Sequence, residues 1–228
     1  MLRRKGIPHR VVQLVPGFHP IALRGLGFPG GTVPALVIDG RRIQGSRAIS
    51  RALDDIRPDP PLFPRDPDAR RRVEEAERWG EQELQYVPRR LFRFMAAHHY
   101  EVRRWLAVEV TGVPLGGLVA RPSLQARAFA RAVGADEAAV RADLAALGSH
   151  LAEVERLRAQ GVLGTDQPNA ADFQIATSLQ SIAKLGDLAR YLREHRTIRW
   201  AAALVPALPG PTPAVLPREW LSPLEQLA

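Results

Sequence analysis

Residues 32–49 constrain the fold more than any other stretch of this chain. Thr32-Val33-Pro34 leads into the apolar run Ala35–Ile38, Asp39-Gly40 follows, and Arg41–Gln44 leads into a helical pattern that begins at Ser46. Asp-Gly between two strand-like runs predicts a tight hairpin, because its turn needs residues that accept positive φ. Ser46 is suited to N-cap a helix over residues 46–56, which carries Ile49, Leu53 and Ile56 at helical spacing. The first N–H groups of such a helix have no partner inside it. Pro34, just ahead of a strand, is either an ordinary rigid entry or a cis proline in a tight turn. A cis proline beside a helix N-terminus would make a small site for a peptide-like anion.

The organisation along the chain changes at a proline-rich boundary. Residues 1–58 read as α/β, residues 59–68 as a linker, and residues 69–228 as all-helical with a proline-rich tail. Asp68 is expected to cap a long helix whose face runs through Val73, Ala76 and Trp79, then Leu84, Val87, Leu91 and Met95, with a kink at Pro88. Residues 100–111 are compatible with helix, and residues 111–122, with Gly112, Pro114, Gly116 and Gly117, read as loop. Residues 135–160 form an amphipathic helix with the stripe Val140, Leu144, Leu147, Leu151, Val154 and Leu157, stopped by Gly161. After a turn over 161–168, Asn169 caps a helix with Ile175, Leu179 and Ile182 facing inward, and shorter helices follow near 185–194 and 197–204. The tail from Pro206 holds six prolines and is expected to be extended, docking through Trp220 and Leu221. An α/β start followed by helices implies separately built layers, not an alternating parallel sheet.

Composition narrows the classes of function. A chain of 228 residues can bury a sizeable core, and no apolar run approaches the length of a membrane span. The basic start is followed by an apolar run broken by Gln13, Pro16 and His19, unlike a signal peptide. There is no cysteine, so disulfides and a cysteine nucleophile are excluded for this chain and a cytoplasmic setting is expected. A net charge of +8 ordinarily raises nucleic acid as a partner. Here Lys5 and Lys184 are the only lysines, the arginines are spread out and often sit beside Asp or Glu, and no basic stripe is interleaved with aromatics. The charge therefore reads as solvated helix faces and an Arg/Ala-rich composition bias, not as a nucleic-acid surface.

Four segments together resemble the glutathione S-transferase family. They are Lys5-Gly6-Ile7-Pro8-His9 with residues 10–15, the Val-Pro/Ser-x-Ala-Ile pair of residues 33–49, Pro60-Pro61-Leu62-Phe63-Pro64 with Asp66-Pro67-Asp68, and Asn169-Ala170-Ala171-Asp172 ahead of Phe173-Gln174-Ile175-Ala176. The resemblance implies a thioredoxin-like N-terminal domain, here incomplete, followed by a glutathione S-transferase-type helical domain. Residues 10–15 would be its second strand. Roughly twenty residues, a strand, a turn and most of a helix, would then be expected ahead of Met1, and the catalytic residue would lie among them. The implied activity is transfer of glutathione, or another low-molecular-weight thiol, to an electrophile, as in detoxification, by a homodimer. The alternative is a non-catalytic member of that fold that binds ligands or a protein partner.

The resemblance also assigns residues. The backbone of Val33, before Pro34, would pair with the cysteinyl part of glutathione, and Ser46 would hold the γ-glutamyl carboxylate at the helix start. The family usually has an acidic residue or Gln just before this serine. Gly45 stands there instead, with Gln44 as a partial substitute. His19 and Arg24 are candidates for the glycine carboxylate, with surface solvation as the plainer role. A second-substrate pocket is expected near Tyr86 and Arg90, with Arg93, Phe94 and His98 beside them, although such a stripe is more often core or dimer surface. Asn169 and Asp172 form a capping box with a structural role. His98 and His99 are adjacent and lack a third ligand at metal spacing. Pro29-Gly30-Gly31 precedes a strand, unlike a phosphate loop, and no Ser/His/Asp arrangement is apparent.

Overall fold

In the computed structural model, β1 (Ala35–Ile38) and β2 (Arg41–Gln44) pair antiparallel, with Ala35 opposite Gln44 and Ile38 opposite Arg41. The structure describes residues 1–14, 18–110, 112, 120–206 and 210–227. Asp39 and Gly40 turn the hairpin at φ 48° and 73°, the left-handed conformations that a two-residue hairpin requires. The strand expected over residues 10–15 is not formed at 10–14, and Val15 lies outside the described residues. Among the described residues β1 and β2 pair only with each other. Residues 10–14 therefore have no ladder to join, and Val11 and Val12 are exposed. A short helix that the sequence reading did not anticipate, α1 (His19–Gly25), precedes the hairpin, with Pro20 in its first turn.

Helix α2 (Ser46–Ile56) follows the hairpin and buries Ile49, Ala52 and Leu53. Its last turn anchors the chain start. The Lys5 ammonium is fully buried, donating to Asp54 Oδ1 and to the Arg57 carbonyl, each at 2.6 Å. Asp54 Oδ1 also accepts from the Leu62 N–H at 2.7 Å. The linker therefore closes back on α2.

The helical part begins at α3 (Pro67–Trp79). Its N-cap is Asp66, not Asp68: the Asp66 carboxylate accepts from the Ala69 N–H at 2.7 Å. Pro67 then occupies the first helical position, where its missing N–H is harmless. The long helix breaks ahead of Pro88. A π turn (Gly80–Leu84), closed by the Gln85 N–H on the Gly80 carbonyl at 2.9 Å, separates α3 from α4 (Tyr86–His98). Pro88 has no N–H for the Leu84 carbonyl four residues back, so the helix widens over the preceding turn. Gly80 also lets the helix approach its neighbour: a Cβ there would stand 2.8 Å from Ile175 Cγ1.

After α5 (Tyr100–Trp105) and a π turn (Leu106–Val110), most of the loop expected over 111–122 lies outside the described residues. Helix α6 (Leu124–Ala132) packs on α4. Helix α7 (Glu137–Ala159), capped by Asp136, buries the whole predicted stripe from Val140 to Leu157. It is joined to α4 by a bidentate ion pair: Arg90 donates from Nε to Asp143 Oδ2 at 2.7 Å and from Nη2 to Oδ1. That carboxylate raises the guanidinium's pKa above its ordinary value.

The centre of the helical part is α8 (Ala170–Ala183). Asn169 Oδ1 accepts from the N–H groups of Ala171 and Asp172. The Asp172 carboxylate accepts from the N–H groups of Asn169 and Gly164, both at 2.7 Å. Asp172 is fully buried, and burial pushes its pKa up although these two donors favour the carboxylate. Helices α9 (Gly186–Leu192) and α10 (Arg196–Leu204) follow. The tail is not extended throughout. Asp187 accepts from the Val215 and Leu216 N–H groups, and residues Arg218–Leu227 form a 3₁₀ helix that buries Leu221 and Leu224. Pro209 lies outside the described residues.

Two substitutions test this framework. Asp172→Ala strands the buried Asn169 N–H and frees the Gly164 N–H, and is expected to lower the unfolding free energy by about 2 kcal/mol in urea denaturation. Arg90→Ala leaves Asp143 buried without its cation and is expected to cost about 3 kcal/mol, whereas the double change Arg90→Leu with Asp143→Leu recovers most of that loss.

Candidate functional site

The hairpin base and the start of α2 are joined by one hydrogen bond, from the Gly45 N–H to the Pro34 carbonyl at 2.9 Å. The Val33–Pro34 peptide is cis. Val33 is 57% exposed and precedes Pro34, whose carbonyl is tied to the helix start. Ser46 is the first residue of α2, and the N-cap position belongs to Gly45. Gly45 has φ 90° and ψ 141°, a conformation almost confined to glycine. A Cβ there would meet nothing within 4 Å. The backbone, not crowding, thus accounts for a glycine where the resembled family carries an acidic residue or Gln.

No side chain caps α2, and its first helical bond runs from the Ile49 N–H to the Gly45 carbonyl. The N–H groups of Ser46, Arg47 and Ala48 therefore have no helical acceptor. With the Ser46 hydroxyl they form a compact donor set at the positive end of the helix dipole, which suits a carboxylate.

Gln44 is engaged within the protein. Its Oε1 accepts from the Gly30 N–H at 2.8 Å, and its Nε2 donates to the Thr32 carbonyl at 2.6 Å. The side chain thereby shapes the approach to Val33. Arg47 turns away from the donor set toward α3 and the π turn, lying 3.6 Å from both Glu77 and Glu81. Glu77 is 1% exposed; it accepts from the Ser50 hydroxyl at 2.8 Å and from Arg51 at 2.7 Å. This buried carboxylate, which the sequence reading did not single out, fixes α2 against α3.

The remaining predicted residues separate into three places. Arg90 is paired with Asp143, and its guanidinium lies over the Tyr86 ring at 5.4 Å. Phe94 and His98 stack at 4.5 Å and line a cavity of about 510 Å³ with Ala97 and Arg127. Arg93 lies over the Phe129 ring of α6 at 4.6 Å, and His19 stacks on the same ring at 6.5 Å. His19 is thus set against the helical part, and burial, together with the nearby Arg93, pushes its pKa down. Arg24 lies in the last turn of α1 and is exposed.

Arg93 also borders a second cavity, of about 420 Å³, walled by α4, the π turn after α5 and the C-terminal end of α8. Arg89, Phe92, Trp105 and Lys184 share this wall with it. The sequence reading missed these four. The spacing of Arg89, Phe92 and Arg93 along one helix was a usable signal, but nothing in the sequence joined them to Lys184. Among the described residues no group of three or more His, Asp or Glu side chains is placed to hold a metal ion, and no helix is long and apolar enough to cross a membrane.

Comparison with known proteins agrees with this architecture. Residues 1–61 match the sequence model of the family described as "Glutathione S-transferase, N-terminal domain". The whole chain is similar to the crystal structure of a glutathione S-transferase from Rhodospirillum rubrum F11, at 20% identity and a TM-score of 0.59. The match covers 98% of this chain and 91% of that one. No curated protein matches the chain in sequence. The protein therefore has the glutathione S-transferase fold, with an incomplete thioredoxin-like N-terminal part joined to the helical domain characteristic of that fold.

Proposed function

We propose that the protein binds a low-molecular-weight thiol, glutathione or a relative of it, across Val33 and the start of α2, and transfers it to an electrophile. The observation that carries this reading is the N-terminus of α2, without a side-chain cap, fixed beside the exposed Val33 by the Gly45–Pro34 hydrogen bond. The thiol's peptide-like portion would extend along Val33, as strand edges take extended ligands. Its terminal carboxylate would accept from the Ser46 hydroxyl and the N–H groups of residues 46–48. In this reading the protein is a homodimer with a detoxification role, as the family resemblance implies, and works in the cytoplasm, the setting expected of a chain without cysteine.

A second reading is a ligand-binding module of the same fold without transferase activity. It is favoured by Gly45, which offers no carboxylate for a ligand amino group, and by Gln44, whose amide is already engaged on both sides. Turnover of a chromogenic aryl halide with bound thiol separates the two.

Ser46 allows a graded test of binding. Ser46→Ala deletes one donor and is expected to weaken glutathione binding about tenfold in calorimetric titration. Ser46→Pro deletes the hydroxyl and the N–H, yet suits the first helical position, and Gly45 already has the extended ψ that precedes proline. It is expected to abolish binding with little change in melting temperature. If neither glutathione nor another cellular thiol binds the unaltered protein, this function is wrong.

A further inference from the structure

We propose that the outward face formed by α1 and the hairpin docks on a membrane surface rich in anionic lipid, resting on the bilayer and not crossing it. Seven of the nine large apolar side chains that are exposed among the described residues belong to residues 11–37. The same part of the chain carries the charge. Residues 1–58 hold ten basic and three acidic residues, so residues 59–228 contribute only +1 to the net +8.

The face is contiguous. Helix α1 buries only Leu23. Phe18, its N-cap, and Ile21 stand one turn apart on the side away from Leu23, and Leu26 ends the helix; all three are more than half exposed. Arg42 Nε donates to the Leu26 carbonyl at 2.6 Å, which ties the hairpin to the helix end. Val37, also more than half exposed, stands opposite Arg42 in the ladder, so the two project from one face of the hairpin. Leu36, Ile38 and Ile43 pack against the core.

Not every cation of this part faces outward. Lys5 is buried on Asp54, and Arg47 and Arg51 turn to Glu77. Residues 7–45 then carry four arginines, Arg10, Arg24, Arg41 and Arg42, against Asp39 alone, and all four are exposed. Protruding apolar side chains set among arginines are the combination by which surface elements hold to anionic headgroups. The charge selects the partner, because a second copy of this face would bring like charges together. An acidic protein would satisfy the arginines, but it would need a matched hollow for each protruding side chain of the helix and the hairpin. A fluid bilayer accepts them without one. The assignment does not rest on the thiol reading, and none of these residues belongs to the donor set at the start of α2.

Vesicle co-sedimentation tests this with two surfaces, pure phosphatidylcholine and phosphatidylcholine carrying phosphatidylglycerol at about one part in three. The unaltered chain is expected to bind the anionic vesicles about tenfold more tightly or better, and to lose that preference at high salt. Arg24→Gln and Arg41→Gln are each expected to weaken binding about fivefold. Phe18→Ser combined with Ile21→Ser is expected to weaken it about tenfold while leaving retention on a heparin column unchanged, because heparin offers charge without an apolar phase. Leu124→Ser, at an exposed position of the helical part, is expected to leave vesicle binding as it was. Ile21→Ser alone replaces the double variant if its melting curve shows that it fails to fold. Equal affinity for the two surfaces, or a folded Phe18 and Ile21 variant that binds as before, overturns the assignment. Retention on heparin without vesicle binding also overturns it, in favour of an acidic macromolecule.

Discussion

A run of hydrogen bonds through the buried Asp172 carboxylate holds the molecule together. Asp172 fixes the N–H groups of Asn169 and Gly164. The next residue, Ala170, donates its N–H to the Leu62 carbonyl at 2.9 Å, across to the linker. The Leu62 N–H in turn donates to Asp54, which also holds the buried ammonium of Lys5. The start of the central helix, the linker, the end of α2 and the first residues of the chain are thus ordered by one contiguous set of partners. The buried members, Lys5 and Asp172 above all, depend on these partners, because burial leaves them without water to fall back on.

A second buried carboxylate does the corresponding work at the other end of α2. Glu77 gathers the Ser50 hydroxyl and the Arg51 guanidinium, with Arg47 close by. All three belong to the first turns of α2, so the helix start that faces Val33 is held from behind by α3. This explains how an uncapped helix terminus stays in place. Its side chains are anchored on the buried face, while among the described residues no side chain caps its first N–H groups. A ligand carboxylate would complete the terminus as a capping residue normally does.

The elements that were legible in the sequence are those fixed by local chemistry. Asp39-Gly40 sets the hairpin turn, Asn169 and Asp172 set the start of the central helix, and the apolar spacing from Val140 to Leu157 sets the buried face of α7. The errors fall where a neighbour decides. Asp66 displaces Asp68 as the cap because Pro67 must open the helix. The bend expected at Pro88 appears one turn earlier, where its missing donor is felt. Residues 10–14 have strand-like composition but no ladder partner among the described residues. In the candidate site, the proximity of Val33, Pro34 and Ser46 was legible because one short segment carries them all. The pairing of Arg90 with Asp143, 53 residues away, was not legible, because no local pattern reveals it.

The same distinction bears on the arginine-rich composition. Scattered arginines beside acidic residues read as solvated surface, and for pairs such as Arg70 with Glu74 or Arg156 with Glu153 the structure agrees. Sequence proximity says nothing about the cavity, however. There, two arginines one turn apart meet a lysine 91 positions beyond the second of them, at the end of a different helix. Their partners are neutral ones: Arg89 is exposed, donates to Gln85 and lies over the Tyr86 ring, and Arg93 lies over the Phe129 ring, so aromatic faces and amides serve these arginines where Asp143 serves Arg90.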